Sequence, residues 1–296
     1  MLYDRIFGGY DYRHLMVASL VITLLAVPFV FNVPLGIEFT GGTEVQMLVD
    51  SPKPALESNL RECSSGFHLV SQRLGDKTSL IAKTKEIVDK SCVKQALLDS
   101  GFSEDEASKI VPSTFKPSLG KTLQDNGMRV ILIALALMTI MIFIAFRTIV
   151  PSLAVIQAAV CDIIITVGLM SVFGVEMTLA GVAALMMLIG YSVDSDIMLT
   201  SRLLKQSGKT LDERINEAFI TGLTMSGTTI GAMASVVIVS STLNMAALTQ
   251  ISLVIFFGLV ADFFTTWFMN VGILRFYLSN NTGAGSRKFK LGIFRT

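Results

Sequence analysis

The 296 residues carry 24 Lys and Arg against 23 Asp and Glu and are 52% hydrophobic and only 16% charged, with a mean hydropathy of +0.63. This composition excludes an ordinary soluble protein and marks a membrane protein. A formal net charge of +1 leaves no basic surface for a run of phosphates, so no nucleic-acid partner is expected.

The first apolar run, 15–33, lacks a small-residue cleavage site before Gly36 and is expected to stay as an anchor rather than be removed as a signal sequence. Next comes 34–125, which holds about half of all the charged residues. Its apolar alternation and turn residues predict strand 42–49, helix 54–63, and strands 67–74 and 78–85 joined at Gly75-Asp76. Helix 89–99, stopped by Gly101, and a last strand 107–113 complete it. The order βαββαβ is that of a ferredoxin-like split βαβ unit, a small α+β domain. Five more apolar runs follow at 126–146, 149–173, 177–199, 218–241 and 245–274. Each is near the roughly 20 residues an α-helix needs to cross about 30 Å of hydrocarbon.

Lys and Arg near span ends set orientation, because translocating them is disfavoured. With six spans, those of 1–13, 147, 202–214 and 275–295 fall on one side, and the short loops 174–176 and 242–244 carry none. The expected organisation is a cytoplasmic segment 1–13, a first span 14–33 and an outside domain 34–125. Spans two to six occupy 126–276, and 277–296 forms a cytoplasmic tail. The chain is expected in the cytoplasmic membrane with both termini inside.

Cys161 lies within a span and reads as a packed apolar side chain. Cys63 ends the first helix of the α+β domain and Cys92 begins the second. Antiparallel helices on one face of the sheet would bring the two together in an oxidising compartment, and a disulfide and two unrelated thiols both remain open. His14 and His68 are not spaced with other ligands, so no metal site is expected.

Four carboxylates lie inside the spans, where a charged Asp at helix centre costs roughly 2.5–3.5 kcal/mol on the lowest scales. Asp162, Asp194, Asp196 and Asp262 have no Lys or Arg deep in a span to neutralise them. They read as a proton relay, or as helix caps, backbone partners or contacts to another subunit's basic group. Asp194 and Asp196 are two residues apart, point about 200° from one another and cannot share a helix face. Ser192 shares a face with Asp196, and Tyr191 with Asp194. Gly227 and Gly231 stand in GxxxG spacing, suited to close helix packing. The aromatic residues of the sixth span, Phe257 and Trp267 among them, read as packing or lipid contact. An intramembrane aspartyl protease would want Gly-x-Gly-Asp, which 258–262 does not supply.

Several strings carry a resemblance. Gly36-Ile37-Glu38-Phe39-Thr40-Gly41-Gly42-Thr43 follows the first span, Pro117-Ser118-Leu119-Gly120-Lys121 precedes the second, and Asp162 lies in the third. Ala183-Ala184-Leu185, then Gly190-Tyr191-Ser192-Val193-Asp194-Ser195-Asp196 and Arg202, occupy the fourth. Together they resemble the SecD/SecF family of protein-export membrane proteins, relatives of the RND transporters, on its SecF side and over nearly the whole chain.

The resemblance implies a six-span RND-like helical bundle with a ferredoxin-like outer domain opened by Phe39, Thr40, Gly41 and Gly42. It implies a homologous SecD-like subunit, the Sec translocon channel and unfolded exported polypeptide as partners, membrane lipid as surroundings, no cofactor and no bond-making activity. Proton flow would move the outer domain. Asp194 is the first ion-coupling candidate, because it lies one residue from a family carboxylate, followed by Asp162, Asp196 and Asp262. Gly190, Tyr191, Ser192 and Ser195 support it, and Arg202 is an anchor at the membrane edge. The bacterial pattern has its acid at Ser195, an Arg at Met225 and a small residue at Asp262, so the chain looks like the archaeal branch. Half of an RND-type small-solute or lipid exporter and a passive translocon assembly factor are the alternatives.

Overall fold

The computed structural model describes residues 3, 12–49, 55–74, 77–104, 110, 112–205, 208–243 and 245–282. Most of the expected terminal segments, the Gly75-Asp76 turn and residues 107–109 and 111 of the expected last strand lie outside the described residues.

A chain in hydrocarbon must satisfy its backbone polar groups within itself, so each long apolar run folds as a helix. The first is α1 (Tyr12–Val30). A four-residue helix, α2 (Ile37–Thr40), then leads into the α+β domain. Its elements are β1 (Gly42–Val49), α3 (Ala55–Cys63), β2 (His68–Leu74), β3 (Lys77–Thr84), α4 (Lys90–Asp99) and β4 (Ser113–Phe115). The strands lie in the order β2-β3-β1-β4 with every neighbouring pair antiparallel, the ferredoxin-like arrangement. Thr43 faces Thr84 and Met47 faces Leu80 across the central pair. Side chains alternate along a strand, so Val45 and Met47 join Leu80 and Ala82 in one core with Leu56 and Leu60 of α3 and Val93 and Leu97 of α4.

Among the described residues the last strand is Ser113–Phe115, which meets the expected 107–113 only at its end. Pro112 has no N–H to give to a ladder, and pairing with Gly42–Glu44 starts only at Ser113. The Sγ atoms of Cys63 and Cys92 are bonded, with Cα atoms 5.9 Å apart, and Cys161 is free and buried. A closure of this length constrains the unfolded chain by about 3 kcal/mol. Cys63→Ser is therefore expected to lower the domain's stability by about that amount in guanidinium titration. Alkylation of the unreduced, denatured chain should add one label, and three after reduction.

Five further long helices follow. They are α5 (Pro117–Phe146), α6 (Ile149–Val172), α7 (Leu179–Lys205), α8 (Leu211–Thr242) and α9 (Ala246–Phe264), the last continuing through a π-helical stretch, Thr265–Asn270, into α10 (Val271–Thr282). Among the described residues six helices are long and apolar enough to cross a membrane. Two begin before the expected runs for local reasons. α5 starts with Pro117 at its first position, where the missing N–H costs nothing. α8 starts behind a capping box, in which Thr210 Oγ1 accepts the Glu213 N–H at 3.3 Å and Glu213 Oε2 accepts the Thr210 N–H at 2.8 Å.

In the bundle α6 packs against α1, α7 and α9, and α9 packs against α7 and α8. Glycines permit two close approaches. A Cβ at Gly258 would lie 2.3 Å from Leu188 Cδ2, and one at Gly222 2.3 Å from Trp267 Cζ2. The Gly227 and Gly231 pair does not act this way within the chain, since a Cβ at either would meet nothing within 4 Å. Both lie on an exposed stretch of α8 that also carries Met225.

Candidate functional site

Helical spacing builds the site. Ser192, Asp196 and Thr200 recur every four residues on α7, and Asp262, Thr266 and Asn270 do so from α9 through the π-helical stretch, so each set forms one stripe. Asp162 of α6 supplies a third side. Asp162 and Asp262 are 1% exposed and Asp196 0%.

Hydroxyls cross-link the acids. Ser192 Oγ donates to Asp162 Oδ2 at 2.5 Å, and Thr265 Oγ1 donates to Asp162 Oδ1. Ser195 Oγ lies 3.2 Å from Asp262 Oδ2 and 3.3 Å from Oδ1. The Thr266 hydroxyl stands between two acids, 2.9 Å from Asp196 Oδ1 and 3.3 Å from Asp262 Oδ1. Asn270 Nδ2 donates to Asp196 Oδ1 at 2.7 Å. The π-helical stretch holds the second stripe, with Val271 N–H reaching back five residues to Thr266 O. Such wide turns gather at functional sites.

Three of the four intramembrane acids thus meet, and the one ranked first does not. Asp194 is exposed on the other side of α7, as the 200° separation from Asp196 requires. Ser192 bonds Asp162 rather than Asp196. Tyr191 bonds Thr229 of α8 at 3.1 Å rather than Asp194. A Cβ at Gly190 would meet nothing within 4 Å. Arg202 donates to Glu217 O at 3.2 Å, near the opposite end of the bundle from the α+β domain. Thr265, Thr266, Asn270 and Thr200 escaped the sequence reading, which weighed the four acids and, beside them, only Tyr191, Ser192 and Ser195 of the fourth span. The four-residue steps from Asp262 to Thr266 and on to Asn270, the same spacing of Thr200 from Asp196, and the three-residue spacing of Thr265 from Asp262 are the signal that finds them.

At the other end of α7 the Phe39-Thr40-Gly41-Gly42 segment is fastened to the bundle. Gly36 N–H donates to Met177 O at 2.8 Å and Met177 N–H to Pro34 O at 2.7 Å. The Glu38 carboxylate accepts the N–H of Leu179, the first residue of α7, an anion placed at the positive end of the helix dipole. Gln250 of α9 bonds both Glu176 O and Thr178 Oγ1, and Lys83 of β3 pairs with Glu176 at 3.0 Å. Burial holds the nearby Glu44 carboxyl above its ordinary range; Lys83 opposes the rise, while Glu176 and Glu38 add to it.

Comparison with known proteins agrees with this architecture. Residues 95–280 match the family described as protein export membrane protein SecD/SecF, C-terminal, and 29–53 match the SecD/SecF GG motif. A protein-export membrane protein SecF of Methanocaldococcus jannaschii is 37% identical over 268 residues, covering 89% of this chain and 93% of that protein. One of Methanothermobacter thermautotrophicus is 39% identical over 285 residues, covering 94% and 96%. Among solved structures, the translocon-associated membrane protein SecDF of Thermus thermophilus aligns over 91% of this chain with a TM-score of 0.67 and 22% identity. This chain spans 38% of the length of that one.

Proposed function

The chain belongs to the SecD/SecF family of protein-export membrane proteins, as an accessory subunit of the Sec machinery, and from that premise we propose that it draws export work from cations crossing at Asp162, Asp196 and Asp262. The observation that carries this reading is the cluster itself. Three carboxylates lie buried against one another, and among the described residues their bonded side-chain partners are hydroxyls, one amide and, between Asp162 and Asp262, each other's carboxyl group. Burying charge without a counter-ion is costly, so protons or other cations must neutralise the group, and each site that takes one up can release it again.

In this proposal the chain sits in the cytoplasmic membrane with both termini inside and 34–125 outside, as the distribution of Lys and Arg favours. The α+β domain meets emerging unfolded polypeptide, the channel lies alongside, and no bond is made or broken by the chain. Gly190, Asp194, Gly227 and Gly231 leave an open, small-residue face on α7 and α8. Such faces suit close helix packing in lipid, and this one receives the bundle of a SecD-like partner. Photo-crosslinking tests the arrangement. A probe at exposed Glu57 of α3 is expected to capture a secreted protein arrested in transit, and one at Gly227 the SecD-like subunit. Capture of lipid alone at Glu57 would remove the polypeptide contact from the proposal.

A further inference from the structure

The two halves of the carboxylate cluster are not equally satisfied. Both oxygens of Asp162 accept a hydroxyl, from Ser192 and Thr265. One turn further along α7 the account does not close. Among the described residues Asp196 Oδ2, Thr200 Oγ1 and Asn270 Oδ1 are buried without a hydrogen-bond partner, in three residues that are 0% exposed. Asn270 is fixed through its Nδ2 on Asp196 Oδ1 at 2.7 Å, so its free carbonyl oxygen is held beside the same carboxylate. Thr200 follows Asp196 by four residues, the spacing of neighbours on one helix face.

A buried acceptor left alone costs about 1–3 kcal/mol, and three together point to a species that all three contact. One carboxylate oxygen, one amide oxygen and one hydroxyl oxygen are hard donors that suit hard cations. A single carboxylate balances one positive charge. Calcium takes about 6–8 oxygens, usually with several carboxylates, and magnesium keeps several waters. We propose that Asp196, Thr200 and Asn270 form a binding site for a small monovalent cation, sodium, on the side of the cluster away from the α+β domain. The inference rests on the ion-coupled reading of the cluster above and names the ion for one part of it.

The chain carries its own reporter, since Trp267 is its one tryptophan and lies in the π-helical stretch three residues before Asn270. The full chain, purified in detergent micelles, is titrated with NaCl against N-methylglucamine chloride at constant ionic strength while Trp267 emission is followed. The native chain is expected to give a saturable change. Thr200→Val removes only a hydroxyl that no protein group bonds and keeps the side-chain shape, so the fold is retained, and it should raise the sodium midpoint at least tenfold. Asp196→Asn should abolish the response, and Asp99→Asn, an exposed acid of α4 in the α+β domain, should leave it unchanged. A flat native titration, the result expected if a water molecule alone bridges the three oxygens, would overturn the proposal, as would a native midpoint in Thr200→Val. An equal response to KCl would overturn the assignment to sodium. None of these outcomes depends on export, which is measured separately with Asp162→Asn.

Discussion

Asp162→Asn, present in the membrane at the level of the native chain, is expected to slow export of a secreted protein at least tenfold in pulse–chase labelling of a strain lacking the native gene. The substitution is a clean one. Asn has the shape of Asp, and Ser192 and Thr265 each have a hydroxyl that donates to one oxygen or turns to accept from an amide N–H. Packing around the fully buried side chain is therefore kept, while the ability to take up and release a cation is lost. A tenfold change corresponds to about 1.4 kcal/mol in an activation barrier, well below what neutralising a buried carboxylate is worth. Full rescue by Asp162→Asn would leave family membership intact and make the chain a structural subunit without an ion path of its own.

Gly42→Ala should unfold or severely weaken the α+β domain. Gly42 has φ +142°, and a Cβ there would sit 2.3 Å from the carbonyl oxygen of Thr84 and 3.1 Å from Lys85 Cα. Both obstacles are backbone of the β3 edge, pinned by the register that pairs Thr43 with Thr84, and cannot swing aside as a side chain would. Backbone strain of about 1–3 kcal/mol adds to an overlap of similar size. A loss of about 3 kcal/mol or more is expected, read as faster hydrogen exchange along β1 and β3. Gly174→Ala is the comparison, since its φ of +67° lies in the left-handed region, where Ala is less unfavourable than at +142°, and nothing lies within 4 Å. It should cost about 1 kcal/mol. Equal effects at the two positions would show that neither the extra strain at φ +142° nor the close approach to β3 weighs on the domain.

The bundle was legible in the sequence because lipid leaves the chain few choices. Apolar runs of the right length must be helices, and only their ends, set by the Thr210–Glu213 capping box and by Pro117, strayed from the apolar pattern. In the α+β domain the period-two alternation of Val45 and Met47 against Leu80 and Ala82 identified the central strands. The last strand was misplaced because Pro112 breaks a run whose apolar content reads as β. The candidate site was legible by residue type and illegible by geometry. Charge singled out all four acids, but rank within the cluster depends on which side of α7 faces α6 and α9, and only the packing decides that. Asp194, ranked first along the chain, points away, while the uncharged Thr266 stands between Asp196 and Asp262.

The fastening of Glu38 to the first N–H of α7 gives that helix a mechanical character. α7 runs without a break from Leu179 to Lys205. At about 1.5 Å per residue, the stretch from Leu179 to Asp196 is a rigid rod about 26 Å long. One end of the rod grips the stalk of the α+β domain, and the far part carries Ser192, Asp196 and Thr200. On the proposed function, a shift of this rod along its axis, set off by a change of charge at its inner part, would reach the domain as a push at Glu38.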